Sequence, residues 1–73
     1  MNEYLIKSRF ILLQKLHSII KNMNDENAYL SWIYFVPDEP SEQDFLDIAE
    51  DDDSFEEVCK QFVILFNKYK KYE

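Results

Sequence analysis

The segment that decides the fold class of this chain is AYLSWIYFV, residues 28–36. Six of these nine residues are aromatic or β-branched, and such side chains favour strands over helices. No other segment offers a strand partner, however, and a lone strand leaves its backbone groups unpaired. The acidic start after Asn24 and the stop at Pro37 suit a helix of about three turns. We therefore predict a helix here, with a strand paired across a homodimer as the alternative.

Long helices are predicted on both sides of this segment. Between residues 3 and 23, apolar side chains recur at steps of three, four and seven, and an adjoining apolar row widens the stripe. From Phe55 to Tyr72 a similar spacing returns. Glu56 and Glu57 lie at the start of this last helix and lysines lie at its end, as the helix dipole prefers.

The breaks between these helices are marked by asparagines and prolines. Residues 22–24, Asn-Met-Asn, predict the first break, because Asn tolerates left-handed backbone geometry and also caps helix starts. Asp25 and Glu26 are then expected in the first turn of the second helix. Residues 37–40, Pro-Asp-Glu-Pro, predict a connector that no helix crosses, because each proline fixes φ and lacks an amide donor.

A short third helix is predicted after this connector. Ser41 caps it, with Asp44 at the third position of a capping box, and the three aspartates at 51–53 end it. The last helix is expected to open with a second capping box, formed by Asp53 with Glu56 or by Ser54 with Glu57. The sequence thus predicts one all-α domain over residues 1–73, a small bundle of three to four helices.

Composition excludes several classes of protein. The chain has no glycine, so glycine-dependent hairpin turns are disfavoured and a glycine-rich phosphate loop is excluded. The single Cys59 cannot form an internal disulfide, and no apolar run approaches the roughly 20 residues that cross a bilayer. The first residues lack the pattern of a signal peptide. We expect a cytoplasmic protein that does not enter a membrane.

Acidic residues are concentrated in the middle of the chain. Residues 25–57 hold 13 acidic residues and no Lys or Arg, whereas the segments on both sides are basic and the whole chain carries a net charge of −7. Solubility alone explains a charged surface, but it does not require 11 acidic residues between Asp38 and Glu57. Direct binding to DNA or RNA is disfavoured, because phosphates are repelled.

The charge pattern predicts a protein-binding module that engages a basic partner, such as a nucleic-acid-handling protein whose groove it fills as a DNA mimic. A small acidic helical domain is similar in kind to bacterial nuclease-immunity proteins and to phage-encoded inhibitors that mimic DNA. That likeness rests on charge and fold class and assigns no residue roles. The predicted partner-binding residues are two aromatic anchors and nine acidic residues: Trp32, Tyr34, Asp38, Glu39, Glu42, Asp44, Asp47, Glu50, Asp51, Asp52 and Asp53.

Catalytic and metal-binding patterns are weak. His17, the only histidine, is expected at the surface or boundary of the first helix, and Cys59 on an apolar face is expected to be inert packing. The acids at 51–56 are consecutive and lack the glycine of a calcium-binding loop. We expect no enzyme activity, no cofactor and no specific metal site.

A second hypothesis of a different class uses the apolar residues instead of the acidic ones. The aromatic side chains of residues 28–36 and the wide stripe of the first helix are hard to bury within 73 residues. A helical homodimer that serves as an assembly or adaptor protein is therefore the alternative. In that case the acidic face only keeps the protein soluble.

Overall fold

The computed structural model describes residues 2–70, and these residues form four α-helices. Helix α1 spans Glu3–Asn22, α2 spans Glu26–Trp32, α3 spans Glu42–Glu50 and α4 spans Asp52–Tyr69. The prediction of a small all-α bundle is confirmed, and the alternative with a strand at 28–36 is not needed. The predicted continuation of the last helix to Tyr72 lies outside the described residues.

Helix α2 is shorter than predicted because the chain turns after Trp32. The amides of Phe35 and Val36 both donate to the carbonyl of Trp32, at 2.9 and 3.1 Å, so residues 33–36 form turns. This geometry buries Val36 completely, whereas Tyr34 is 86% exposed. The strand-favouring residues of this segment are thus divided between a short helix and a turn that points one side chain inward and another outward.

The first break is close to its prediction. Asn24 has a φ of 55°, the left-handed conformation that Asn tolerates. The N-cap of α2 is Asp25, whose side chain accepts the amide of Ala28 at 3.1 Å. Asp25 therefore lies one position before the first turn in which it was expected, while Glu26 lies in that turn.

The predicted capping box of α3 is present. The side chain of Ser41 accepts the amide of Asp44 at 3.2 Å, and the side chain of Asp44 accepts the amide of Ser41 at 2.9 Å. The helix ends at Glu50, directly before the three aspartates, as expected. Residues 37–40 form no helix, which agrees with the predicted connector.

The predicted start of α4 is wrong. Asp51 alone separates α3 from α4, in an extended conformation, and its side chain accepts the amides of Asp53 and Ser54 at 3.0 and 3.4 Å. The helix therefore begins at Asp52, and neither of the two predicted capping boxes opens it. An early start places Asp52 and Asp53 in the first turn, at the positive end of the helix dipole.

Trp32 lies at the centre of the core and has no exposed surface. Its ring packs edge-to-face against Phe62 of α4, with centroids 6.2 Å apart. Its indole Nε1–H donates to Nδ1 of His17 on α1 at 3.0 Å. One side chain of α2 is thereby held by both long helices. The other buried apolar residues are Leu13, Leu16, Ile20, Ala28, Val36, Phe45, Ala49, Val58 and Leu65.

His17 is buried, which corrects its predicted place at the surface or boundary. Its position follows from helical spacing, because residue 17 lies four after Leu13 and three before Ile20, both of them fully buried. The imidazole contacts the rings of Tyr29 and Phe45, each with centroids 5.9 Å away. Because Nδ1 accepts the Trp32 bond, it carries no proton, so the side chain is neutral in this arrangement.

We predict that stability depends on the protonation of His17. Burial, together with the nearby charge of Lys21, lowers the pKa of His17 below its ordinary value of 6.5, although Asp38 acts in the opposite direction. The unfolded chain therefore takes up the proton more readily than the folded chain. The free energy of unfolding should be highest above about pH 6.5 and should fall as the pH decreases toward the folded-state pKa. Urea unfolding at a series of pH values measures this dependence.

His17→Gln is the matched variant for this experiment, because it keeps a polar side chain that does not titrate. Its stability should be nearly constant between about pH 5.5 and 7.5, a range above the ordinary pKa of carboxylic acids. A wild-type protein whose stability does not change over that range would contradict the role assigned to His17.

Candidate partner-binding surface

Several of the acidic residues predicted to bind a partner instead hold the fold together. Asp38 accepts a hydrogen bond from the hydroxyl of Tyr29, Asp44 completes the capping box of α3, and Asp51 caps α4. These contacts engage the carboxylates within the molecule. Each of the three residues therefore has a role in folding. Local sequence patterns predict that role only for Asp44.

Asp52 is also engaged, in the ion pair found among residues 2–70. Its Oδ1 accepts from Nη1 of Arg9 at 2.7 Å, and the same nitrogen donates to the carbonyl of Ala49 at 3.0 Å. The guanidinium lies 4.7 Å from the centroid of the Phe55 ring. Arg9 thus joins α1 to the corner between α3 and α4, while Asp52 remains largely exposed, so the ion pair itself contributes little stability.

The sequence did not reveal this ion pair, because 43 residues separate Arg9 from Asp52. One signal was present. Arg9 lies four residues before Leu13 and seven before Leu16, which places it on the buried side of α1. A cation on that side needs a partner from another element, and the acidic segment is where such partners are abundant.

The remaining acidic side chains of this region are exposed and form no ion pair with residues 2–70. Asp47 accepts a bond from the amide of Gln43, and Glu57 accepts one from the amide of Gln61, but both partners are neutral. This set lies on the connector, on α3 and on the first turns of α4. Its members are Glu39, Glu42, Asp47, Glu50, Asp53, Glu56 and Glu57.

One cleft combines such carboxylates with exposed aromatic surface. We call it the acidic groove, and it is lined by Tyr34, Phe35, Ile48, Asp53, Ser54, Glu57 and Val58. The turn after Trp32 supplies the two aromatic rings, with Tyr34 86% and Phe35 37% exposed. Helix α4 supplies Asp53 and Glu57 one turn apart. A groove with this lining can accept a cation beside its carboxylates and apolar groups beside its aromatic and aliphatic side chains.

The structure places the other predicted residues elsewhere. Tyr34 and Asp53 line the acidic groove, but Trp32 is fully buried, so the prediction that it anchors a partner is corrected. Asp47 and Glu50 are exposed on the side of α3 opposite its buried residues, and Glu42 is exposed at its first position. They extend the negative surface without lining the groove.

Sequence reasoning missed Glu57 and Phe35 as groove residues. The sequence pattern predicts Glu57 at the start of α4, but the helix begins five residues earlier, so that role does not apply to it. Phe35 belongs to the aromatic segment 28–36, whose side chains are hard to bury within 73 residues, but the sequence does not say which of them are exposed. The turn at residues 33–36, which local propensity does not predict, decides its position.

A second cleft contains more acidic residues but is better explained by folding. It is lined by Lys21, Asn24, Asp25, Glu26, Tyr29, Asp38 and Glu39. Asp25 caps α2 and Asp38 accepts the Tyr29 hydroxyl, so two of its four carboxylates are already bonded. Burial and the Asp38 bond raise the pKa of Tyr29, which keeps its hydroxyl protonated as a donor. Lys21 adds a positive charge at this cleft.

The groups that could perform other chemistry are few in the described part of the chain. Cys59 is half-buried, and burial raises the pKa of its thiol, which lowers the share of reactive thiolate. Residues 2–70 contain no group of three or more His, Cys, Asp or Glu side chains arranged to hold a metal ion. Over the same residues, no helix is both long enough and apolar enough to span a membrane.

Comparison with protein families, with curated proteins and with solved structures finds no match to this chain. Its function is therefore inferred from the residues and geometry of its own surface.

We predict that carboxylates that bond within the molecule contribute more to stability than the spare carboxylates, by which we mean the exposed ones that form no ion pair with residues 2–70. Asp51→Ala removes the side chain that accepts two amides at the start of α4, and should lower the free energy of unfolding by about 1 kcal/mol. Glu57→Gln should change it by less than about 0.5 kcal/mol, because Glu57 has no ion-pair partner among residues 2–70. Asp53→Asn gives up only the attraction of the exposed first turn of α4, so its loss should stay below that of Asp51→Ala. Urea unfolding followed by circular dichroism measures all three values. Equal losses for Asp51→Ala and Asp53→Asn would contradict this division.

Proposed function

We propose that this protein is a small binding module whose acidic groove engages a basic segment of another protein. The observation that carries the proposal is the cleft itself, in which two carboxylates of α4 that form no ion pair with residues 2–70 adjoin an aromatic ring that is 86% exposed. In a binding site for a basic segment, carboxylates supply attraction and an aromatic ring supplies close contact.

The groove supplies the contact energy of such an interaction. Tyr and Trp are the residues in which binding energy concentrates at interfaces, and Trp32 is unavailable because it lies in the core. Tyr34 therefore serves as the anchor. Phe35 and Ile48 provide apolar surface next to it, which becomes favourable when a partner removes it from water.

The surrounding charge supplies the attraction. A net charge of −7, with the spare acids on the connector, α3 and α4, creates a field that speeds association with a positively charged partner. Among basic partners, a nucleic-acid-handling protein fits best, because its nucleic-acid groove is lined by cations. Occupation of that groove by this protein blocks nucleic-acid binding, which is the action of an inhibitor or immunity protein.

The proposal sets this module in the cytoplasm, a reducing compartment in which a single free cysteine such as Cys59 is stable. No catalytic step is assigned to it. Its action consists of occupying a surface of its partner.

A homodimeric adaptor is the second candidate, and one observation favours it. Leu5, Leu12 and Ile19 of α1 are each about 40% exposed and recur every seven residues, as in helices that pair along a seam. In that case light scattering over a dilution series should show a dimer at micromolar concentration. A monomer throughout the series removes this candidate and leaves the first one unaffected.

The proposed function predicts that loss of the groove carboxylates abolishes capture of a basic partner. The protein is immobilised, proteins retained from a bacterial lysate at low salt are identified, and each retained basic protein is purified for titration. Asp53→Asn with Glu57→Gln should weaken binding strongly, because both changes lie in the groove. Binding of the unchanged protein should also weaken as salt increases. Displacement of DNA from the partner tests the inhibitor role.

The matched control replaces two exposed carboxylates outside the groove, Glu3→Gln with Glu26→Gln. It removes the same amount of charge as the groove variant. Retained binding in the control, together with loss in the groove variant, supports the proposal. Equal effects of the two variants show that only net charge matters, and that result contradicts a defined site.

A further inference from the structure

We infer that Asp53, Glu57 and Tyr34 form a binding site for an arginine side chain of the partner. The inference rests on the proposed function and deepens it, because it names the group that enters the groove. Three observations carry it: the arrangement that holds the protein's own Arg9, the spacing of the two carboxylates, and the exposed ring beside them.

The corner between α3 and α4 already binds one guanidinium. Arg9 donates to the Asp52 carboxylate and the Ala49 carbonyl and lies over the face of Phe55. The groups around it include a carboxylate at the start of α4, a further oxygen acceptor and an aromatic ring. Planar, weakly hydrated guanidinium groups favour such surroundings.

The groove side of the same corner offers a matching set of groups. Asp53 follows Asp52 directly, so its side chain projects about 100° further around the axis of α4. Asp53 and Glu57 are one turn apart, a spacing that brings side chains within about 5–6 Å at Cβ. Tyr34 lines the same cleft and supplies the ring. An incoming guanidinium can thus meet two carboxylates and an aromatic face together.

The carboxylates are free to bind in this way. The side chain of Asp53 accepts no hydrogen bond from residues 2–70, and Glu57 accepts one at Oε1, from the amide of Gln61 at 3.0 Å. The second oxygen of Glu57 is left for a ligand. The first turn of α4 attracts Asp53 electrostatically. Its Asp53 and Ser54 amides donate to the Asp51 side chain, not to the Asp53 carboxylate.

Arginine fits this site better than lysine. A guanidinium has a planar fork of donors that can bond two carboxylates while its face stacks on a ring, whereas an ammonium is a strongly hydrated point charge. The aliphatic stem of the arginine can also lie along Phe35 and Ile48, the apolar lining of the groove. The site therefore selects for the shape of the cation as well as its charge.

The test uses blocked peptides of alternating leucine and arginine, with lysine and citrulline counterparts, titrated into the labelled full-length protein and followed by nuclear magnetic resonance. The arginine peptide should shift the amide signals of Tyr34, Asp53 and Glu57. It should bind at least about fivefold more tightly than the lysine peptide, as expected for a stacked cation. The citrulline peptide has the same shape without the charge and should not bind.

Four variants locate the site. Asp53→Asn with Glu57→Gln should abolish binding of the arginine peptide, whereas Glu3→Gln with Glu26→Gln should preserve it. Tyr34→Ala should remove the preference for arginine over lysine, and Tyr34→Phe, which keeps the ring, should retain it. All these side chains are exposed, and dispersed amide signals confirm that each variant is folded.

Equal binding of the arginine and lysine peptides in the groove overturns the arginine site while the proposed function stands. Signal changes away from the groove, or no binding of either peptide, also overturn it. The proposed function fails separately, when the groove variant captures its basic partner as well as the control does.

Discussion

The structure depends on the burial of Trp32 and on its hydrogen bond to His17. Helix α2 has only seven residues, too few to be stable by itself, so packing must hold it. Trp32 supplies that packing through Phe62 of α4 and binds α1 through the 3.0 Å bond to Nδ1 of His17. The amides of Phe35 and Val36 both donate to the carbonyl of Trp32. The turn formed in this way buries Val36 and exposes Tyr34. The anchored Trp32 thereby positions the turn that brings Tyr34 and Phe35 to the acidic groove.

Local patterns in the sequence were sufficient for much of the fold. Apolar spacing located both long helices, and the Ser41–Asp44 pair located the start of α3, because these signals act within one or two turns of helix. Contacts between distant residues could not be predicted in this way. The His17 bond to Trp32 and the Arg9 ion pair with Asp52 join separate helices. The first corrects the predicted surface position of His17, and the second gives Asp52 a partner within the molecule.

The same limit explains the outcome for the candidate site. The acidic residues that local rules leave unexplained are mainly Asp38, Glu39 and residues 50–53, yet Asp38, Asp51 and Asp52 are held by contacts within the molecule. What distinguishes the groove is the meeting of α4 with the turn at residues 33–36. That meeting is a property of packing, so the sequence could indicate an acidic surface but could not locate its centre.

Burial of Trp32 is expected to fix the turn at residues 33–36, which supplies Tyr34 and Phe35 to the acidic groove. Amide hydrogen exchange in Trp32→Phe tests it most directly, because the amides of Phe35 and Val36 both donate to the Trp32 carbonyl. With the indole donor gone, these two amides should lose protection to a greater extent than amides in the middle of α1 and α4. An equal loss of protection throughout the chain would show that Trp32 supports only global stability, and it would contradict the account.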